Sequence, residues 1–160
     1  MNQRRAFLLG LTFTLVSCGL AGPAGAGVET SSGQTVYVPI YSHIYAGPKS
    51  RPINLAATFS IRNTDPEHWI SVESVQYRGS DGKLIKEYIA KPVKLSPLAS
   101  IRFIVEEADT TGGSGASFIV EWKADTLVSV PILQGVMIST RSQLGISFVT
   151  HGRAVRETSR

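Results

Sequence analysis

The chain has 160 residues, 42% of them hydrophobic, a length that suits one domain with its own core and argues against two. Its net charge of +4 is scattered without a basic block, which excludes the concentrated positive face that nucleic-acid binding needs. A single cysteine excludes an intrachain disulfide, so stability has to come from apolar burial.

Arg4 and Arg5 precede an uncharged, mostly apolar run from Ala6 to Val16, as in a signal peptide. As a helix that run reaches only roughly 16 Å against a hydrocarbon core of about 30 Å, so residues 1–17 are expected to be an export signal and not a span. Two processing sites follow. Leu15, Val16, Ser17 and Cys18 resemble the bacterial lipobox, in which the cysteine sulfur receives diacylglycerol. Ala24, Gly25 and Ala26 form an A-x-A site, and cleavage after Ala26 gives a soluble periplasmic or secreted chain. The lipobox abuts the apolar run, whereas the A-x-A site lies beyond a long Gly19 to Gly25 stretch, which favours lipid attachment at Cys18. Residues 18–33 then serve as a flexible tether with a coil dimension of about 20 Å. Arg4, Arg5, Ala6, Phe7 and Leu8 also resemble a twin-arginine export signal, with Gln3 in place of Ser or Thr, and ordinary Sec export suits the segment as well. Without Arg4 and Arg5 the mature chain keeps 14 basic and 12 acidic residues, a net charge of +2.

The domain is expected over 34–155, with a tail at 156–160. In VYVPIYSHIY, Val36, Val38, Ile40 and Ile44 share one parity and Tyr37, Pro39, Tyr41, His43 and Tyr45 the other. Pro39 donates nothing to a ladder, so this reads as an edge strand displaying a tyrosine and histidine stripe. Leu55, Ala57, Phe59 and Ile61 alternate with polar or small residues, as in a strand with one face in the core. Ile70 and Val72 are out of phase with Val75 and Tyr77, and a bulge near Glu73 and Ser74 restores one inward face. Asp81 and Gly82 read as a hairpin turn into Leu84 to Tyr88. Further strands are expected at Val93–Leu95, Ser100–Val105, Ala116–Lys123, Ile132–Ser139 and Gly145–His151, with Trp122 in the core beside Phe118 and Val120. No segment sustains a helical period, so the fold class is all-β: an immunoglobulin-like antiparallel β-sandwich of seven to nine strands.

The connections supply the candidate sites. Glu106, Glu107 and Asp109 lead into a glycine-rich turn, Thr110 to Gly115, which reads as a mobile loop. It is neither a P-loop, for lack of Gly-Lys-Ser/Thr, nor a nucleophile elbow, because Ala116 stands where the last glycine belongs. Asn63, Thr64, Asp65 and Pro66 read as a self-capped turn, with a metal site involving Asp65, Glu67 and His68 as the alternative. His151 has no histidine partner at metal-binding spacing, no Ser/His/Asp arrangement is visible, and no cofactor is implied. If the connections after the first and fifth strands share one end of the sandwich, His43 and Tyr45 approach the Glu106 to Ser114 loop. The expected binding face is therefore Tyr37, Tyr41, His43, Tyr45, Glu106, Glu107 and Asp109.

Four stretches, VYVPIYSHIY, IRNTDP, VEEADTTGGSGASFIVEW and GISFVTHGR, resemble the bacterial exported domain-of-unknown-function 3124 family over roughly Gln34 to Val155. The resemblance implies an envelope location and one compact domain, and it carries no activity or catalytic residue. The expectation is thus a membrane-anchored envelope lipoprotein, a noncatalytic β-sandwich binding a partner protein or cell-wall component. A metal-binding module and an envelope hydrolase are the alternatives. Intact mass of the mature protein is expected to show a chain beginning at a diacylglyceryl-modified Cys18; an unmodified chain beginning at Gly27 means cleavage after Ala26 instead.

Overall fold

Period-two alternation produces strands almost throughout the computed structural model, which describes residues 27–47, 51–140 and 145–158. Cys18, the export signal and the A-x-A site lie outside these residues. In chain order the strands are β1 (Thr30–Pro39), β2 (His43–Ala46), β3 (Arg51–Asn54), β4 (Ala56–Arg62), β5 (Ile70–Arg78) and β6 (Leu84–Glu87). They continue as β7 (Val93–Leu95), β8 (Ser100–Val105), β9 (Ser117–Ser129), β10 (Ile132–Ser139), β11 (Ile146–His151) and β12 (Arg153–Glu157).

These twelve strands exceed the seven to nine expected because the stretch after Pro39 folds back as a β2–β3 hairpin and the last residues form β12. The ordered domain is correspondingly longer than 34–155: Thr30 to Gly33 belongs to β1 and not to a tether, while Arg156 and Glu157 belong to β12 and not to a tail.

One sheet has the order β12-β1-β9-β5-β6, with β7 also paired to β5, and the other has the order β11-β10-β4-β8. Every paired ladder is antiparallel. The core lies between them. Leu55, Ala57, Phe59 and Ile61 are fully buried on one side, and Val36, Val38, Phe118, Val120 and Trp122 on the other. The bulge expected near Glu73 and Ser74 is present as a register shift between Val72 and Ser74, and it turns both Val72 and Val75 inward.

Aromatic rings join the two sheets. Phe118 stacks on Phe59 at 4.5 Å between centroids, and Tyr77 and Tyr88 each approach Phe118 at 5.3 Å. Phe103 completes the group, 6.0 Å from Phe59 and 5.4 Å from Tyr88. Such offset and edge contacts each add about 0.5 to 1.5 kcal/mol beyond burial.

β1 is an interior strand, correcting the edge expected from Pro39. It pairs with β9 along its length and with β12 from Gln34 to Tyr37, so Pro39 stands just past the end of the β12 ladder, where no donor is required.

The glycine-rich turn is a clamp and not the mobile loop expected. Gly113 O accepts from Ser42 N at 3.2 Å and Ser42 Oγ at 2.9 Å, while Gly112 O accepts from Ser80 N and Oγ, both at 2.9 Å. Gly115 N donates back to Ser80 Oγ at 2.9 Å. A Cβ on Gly112 would collide with Tyr77 Oη and lie 2.7 Å from Ala116 Cβ. Gly112→Ala is therefore expected to cost about 3 kcal/mol or more through overpacking, read from urea unfolding. Gly82→Ala serves as the contrast: its Cβ meets nothing within 4 Å, and only the left-handed φ of 80° is penalised, by about 1 kcal/mol.

Candidate functional site: a groove beside Trp69

The expected aromatic and acidic face separates into several environments. Tyr37 lies on the outer surface of the large sheet, in register with Ile119 of β9 and Arg153 of β12. Tyr41 is half-buried and packs edge-on against Phe148 at 5.6 Å, because the chain leaves its extended course after Pro39. His43 and Tyr45 pair with each other, Nε2 to Oη at 3.2 Å, on the small hairpin. The connection carrying them does meet the glycine turn, as strand alternation predicts, and Ser42 makes that contact.

The acidic groups face other rings. Asp109 caps its own turn by accepting from Thr111 N and Oγ1. Burial, and then the charge of Asp109, pushes the Tyr77 hydroxyl up to about 12. The Tyr88 hydroxyl is also raised, by burial first and then by Asp109 and Glu106, while it donates to Ile104 O at 3.0 Å. Glu106 is exposed and Glu107 half-buried on the same turn.

The turn from Asn63 to His68 is structural. Asn63 Nδ2 donates to His68 O at 2.8 Å and Ser96 O at 3.0 Å, and its Oδ1 accepts from Asp65 N at 3.1 Å. Asp65 Oδ1 accepts from Glu67 N at 2.9 Å, His68 N at 2.8 Å and His68 Nδ1 at 3.0 Å, and Oδ2 from Ser129 N at 3.1 Å. These donors leave the Asp65 carboxylate committed, and no group of three or more metal-ligating side chains occurs among the described residues. His151 lines a second groove with Val28, Thr64 and Ile132.

A groove of about 700 Å³ opens on the outer face of the large sheet, lined by Trp69, Ser71, Glu73, Pro92, Lys94, Lys123 and Asp125 among others. Two irregularities adjoin it. On β5 the bulge places Glu73 outside the regular ladder. On β9, Lys123 pairs with Gly33 and Val128 with Ser31, so four residues, 124–127, stand opposite one residue of β1. Bulges bend and twist their strands, and the groove lies over these two irregular stretches. Lys123 Nζ crosses to Glu73 Oε2 at 3.2 Å. The Ser71 side chain and then Lys123 hold the Glu73 carboxyl below the usual carboxylate range. Trp69 borders this polar floor with 57% of its surface exposed, an uncommon state for the largest side chain.

A family model described as "Protein of unknown function (DUF3124)" matches residues 33–155. The chain belongs to the DUF3124 family. Comparison with curated proteins gave no match. Among solved structures, the chain is similar to "Crystal Structure of Thermotoga maritima 1070" with 10% identity and a TM-score of 0.47 over 80% of this chain and 98% of that one.

Sequence reasoning missed Trp69, although its signal was present: it precedes Ile70 and Val72 on the opposite parity, so a buried strand face places its ring outside. It also missed Lys94, Lys123 and Asp125, which only strand pairing brings to Trp69.

The Asp65 cluster gives a pH prediction. The amides of Glu67, His68 and Ser129, with the His68 ring, hold its carboxyl well below the ordinary 3.8, against an opposing effect of burial. Because the folded pKa is the lower, this contribution is complete above the unfolded value and is lost as pH falls through the folded one. Asp65→Asn is expected to lower the urea midpoint at pH 7, where its NH₂ meets backbone donors, and to flatten the decline in stability below pH 4. An unchanged acid limb, measured by denaturant titration at stepped pH, counts against this role.

Proposed function

We propose that this DUF3124 chain is a noncatalytic cell-envelope lipoprotein, anchored through Cys18, whose β-sandwich binds a cell-wall component in the Trp69 groove. The observation that carries the reading is an exposed indole set beside amines and carboxylates on a sheet-built floor. A cell-wall glycopeptide offers matching chemistry. Its sugar rings present C–H faces that stack on an indole, and its carboxylates and amines suit Lys94, Lys123 and Asp125. The floor is preorganised, because Lys123 and Glu73 are already paired and both strands belong to a six-stranded sheet. Export and the lipobox supply the compartment in which such a ligand is found.

The test uses the contrast between the two tryptophans, since Trp122 is 1% exposed and Trp69 is open to solvent. Soluble muropeptides titrated onto the protein are expected to protect Trp69 emission from acrylamide. Trp69→Ala is expected to weaken binding by about 2 kcal/mol, roughly thirtyfold, as for a central aromatic anchor. Emission that does not respond to muropeptides, together with unchanged co-sedimentation of Trp69→Ala with purified sacculi, overturns the assignment.

A further inference from the structure

The three most exposed large apolar side chains among the described residues are Val28 (76%), Leu98 (70%) and Leu127 (65%), and all three gather at one end of the sandwich. Asp65 ties their surroundings together: its carbonyl accepts from Leu98 N at 3.3 Å and its carboxylate from Ser129 N, two residues beyond Leu127. Val130 N in turn donates to Glu29 O at 3.0 Å, next to Val28, and Ile132, 46% exposed, shares the second groove with Val28.

Two of these side chains are displayed by irregular backbone. Leu98 holds a φ of 59°, the one positive value at a non-glycine residue among those described. Gly or Asn enters that conformation readily, whereas a leucine there is strained, and this leucine gains little burial in return. Leu127 sits on the four-residue bulge of β9, a device that re-aims side chains. Separate departures from regular geometry thus point leucines outward at the same end.

That end is also where the chain arrives from its amino-terminal side. Only nine residue steps separate Cys18 from Gly27, a reach of at most about 32 Å. The acidic turn lies at the other end, about 30 Å away along the ten residues of β1. Nearby exposed charges are balanced, with Arg62, Lys94 and Lys123 against Glu29, Glu67 and Asp125.

We infer that this end is a membrane-contacting face, with Leu98, Leu127, Val28 and Ile132 inserting into the lipid interface and the acidic turn directed away from it. The orientation rests on the anchoring at Cys18 proposed above, and the insertion rests on the apolar face itself. Balanced charge makes the attachment apolar, so it resists salt and does not require anionic lipid. The diacylglyceryl group at Cys18 holds the chain at the bilayer, and a second apolar contact fixes its orientation there.

The purified full chain, with its intact mass read to establish modification at Cys18, is bound to vesicles of brominated phosphatidylcholine. In a Trp69→Phe background, Leu98→Trp is expected to be quenched at least about threefold more than Glu106→Trp, with little change in high salt. Equal quenching at the two positions overturns the membrane face, whatever the mass shows. An unmodified Cys18 with strong quenching of Leu98→Trp overturns the anchor and leaves the face standing. Leu98→Asn provides the complementary reading: it is expected to raise the urea midpoint by relieving the backbone while reducing vesicle-bound protein about twofold or more. A purely structural Leu98 fails that test, because its replacement lowers the midpoint and leaves partitioning unchanged.

Discussion

The contact between Phe118 and Phe59 is the constraint on which the rest of the molecule depends. It is a ring-on-ring contact between β9 of the large sheet and β4 of the smaller one, with Tyr77, Tyr88 and Phe103 closing around it. With no disulfide available, these rings and the aliphatic residues around them hold the sheets together. Once Phe118 is seated, the inward parity of β9 is set for Val120 and Trp122. Lys123 then has to face outward, and the groove inherits one of its walls from a choice made in the core.

Much of this was legible in local pattern. Residues such as Phe59 and Ile61, or Phe118, Val120 and Trp122, repeat at two-residue intervals, and every one of them is buried. The phase change between Val72 and Val75 announced its bulge for the same reason: one side of the strand must remain apolar. What escaped depends on pairing across long sequence distances. Nothing near Pro39 reveals that β12 lies alongside β1, and the expected edge became an interior strand. Nothing near Lys123 reveals that four residues after it face a single residue of β1. The tyrosine and histidine stripe departs from its expected alternation on a narrower point, since period two holds only while a strand stays extended, and the chain turns after Pro39 to bury Ser42 and half-bury Tyr41.

The two ends of the sandwich are built on opposite principles. At one, glycine carbonyls accept from Ser42 and Ser80, and close backbone approach to Tyr77 leaves no room for side chains. At the other, a carboxylate gathers backbone amides from separate parts of the chain, and this rigid hub allows leucines to project without collapsing inward. The Trp69 groove lies nearer the second end, since β5 starts there. A ligand in the groove and a membrane against the adjoining face would therefore be close neighbours.

The position of β1 has a consequence for how the chain comes to be folded. β1 precedes both of its partners, β9 and β12, in the chain and so is made before either of them. Until they appear, VYVPIY is an apolar strand with both ladders open, the kind of segment that pairs with copies of itself. Pro39 interrupts one ladder at that vulnerable stage, and in the finished sheet it stands past the end of the β12 ladder, where no donor is required of it. A residue that looked like the mark of an edge strand thus acts as a gatekeeper during the interval when β1 has nothing beside it.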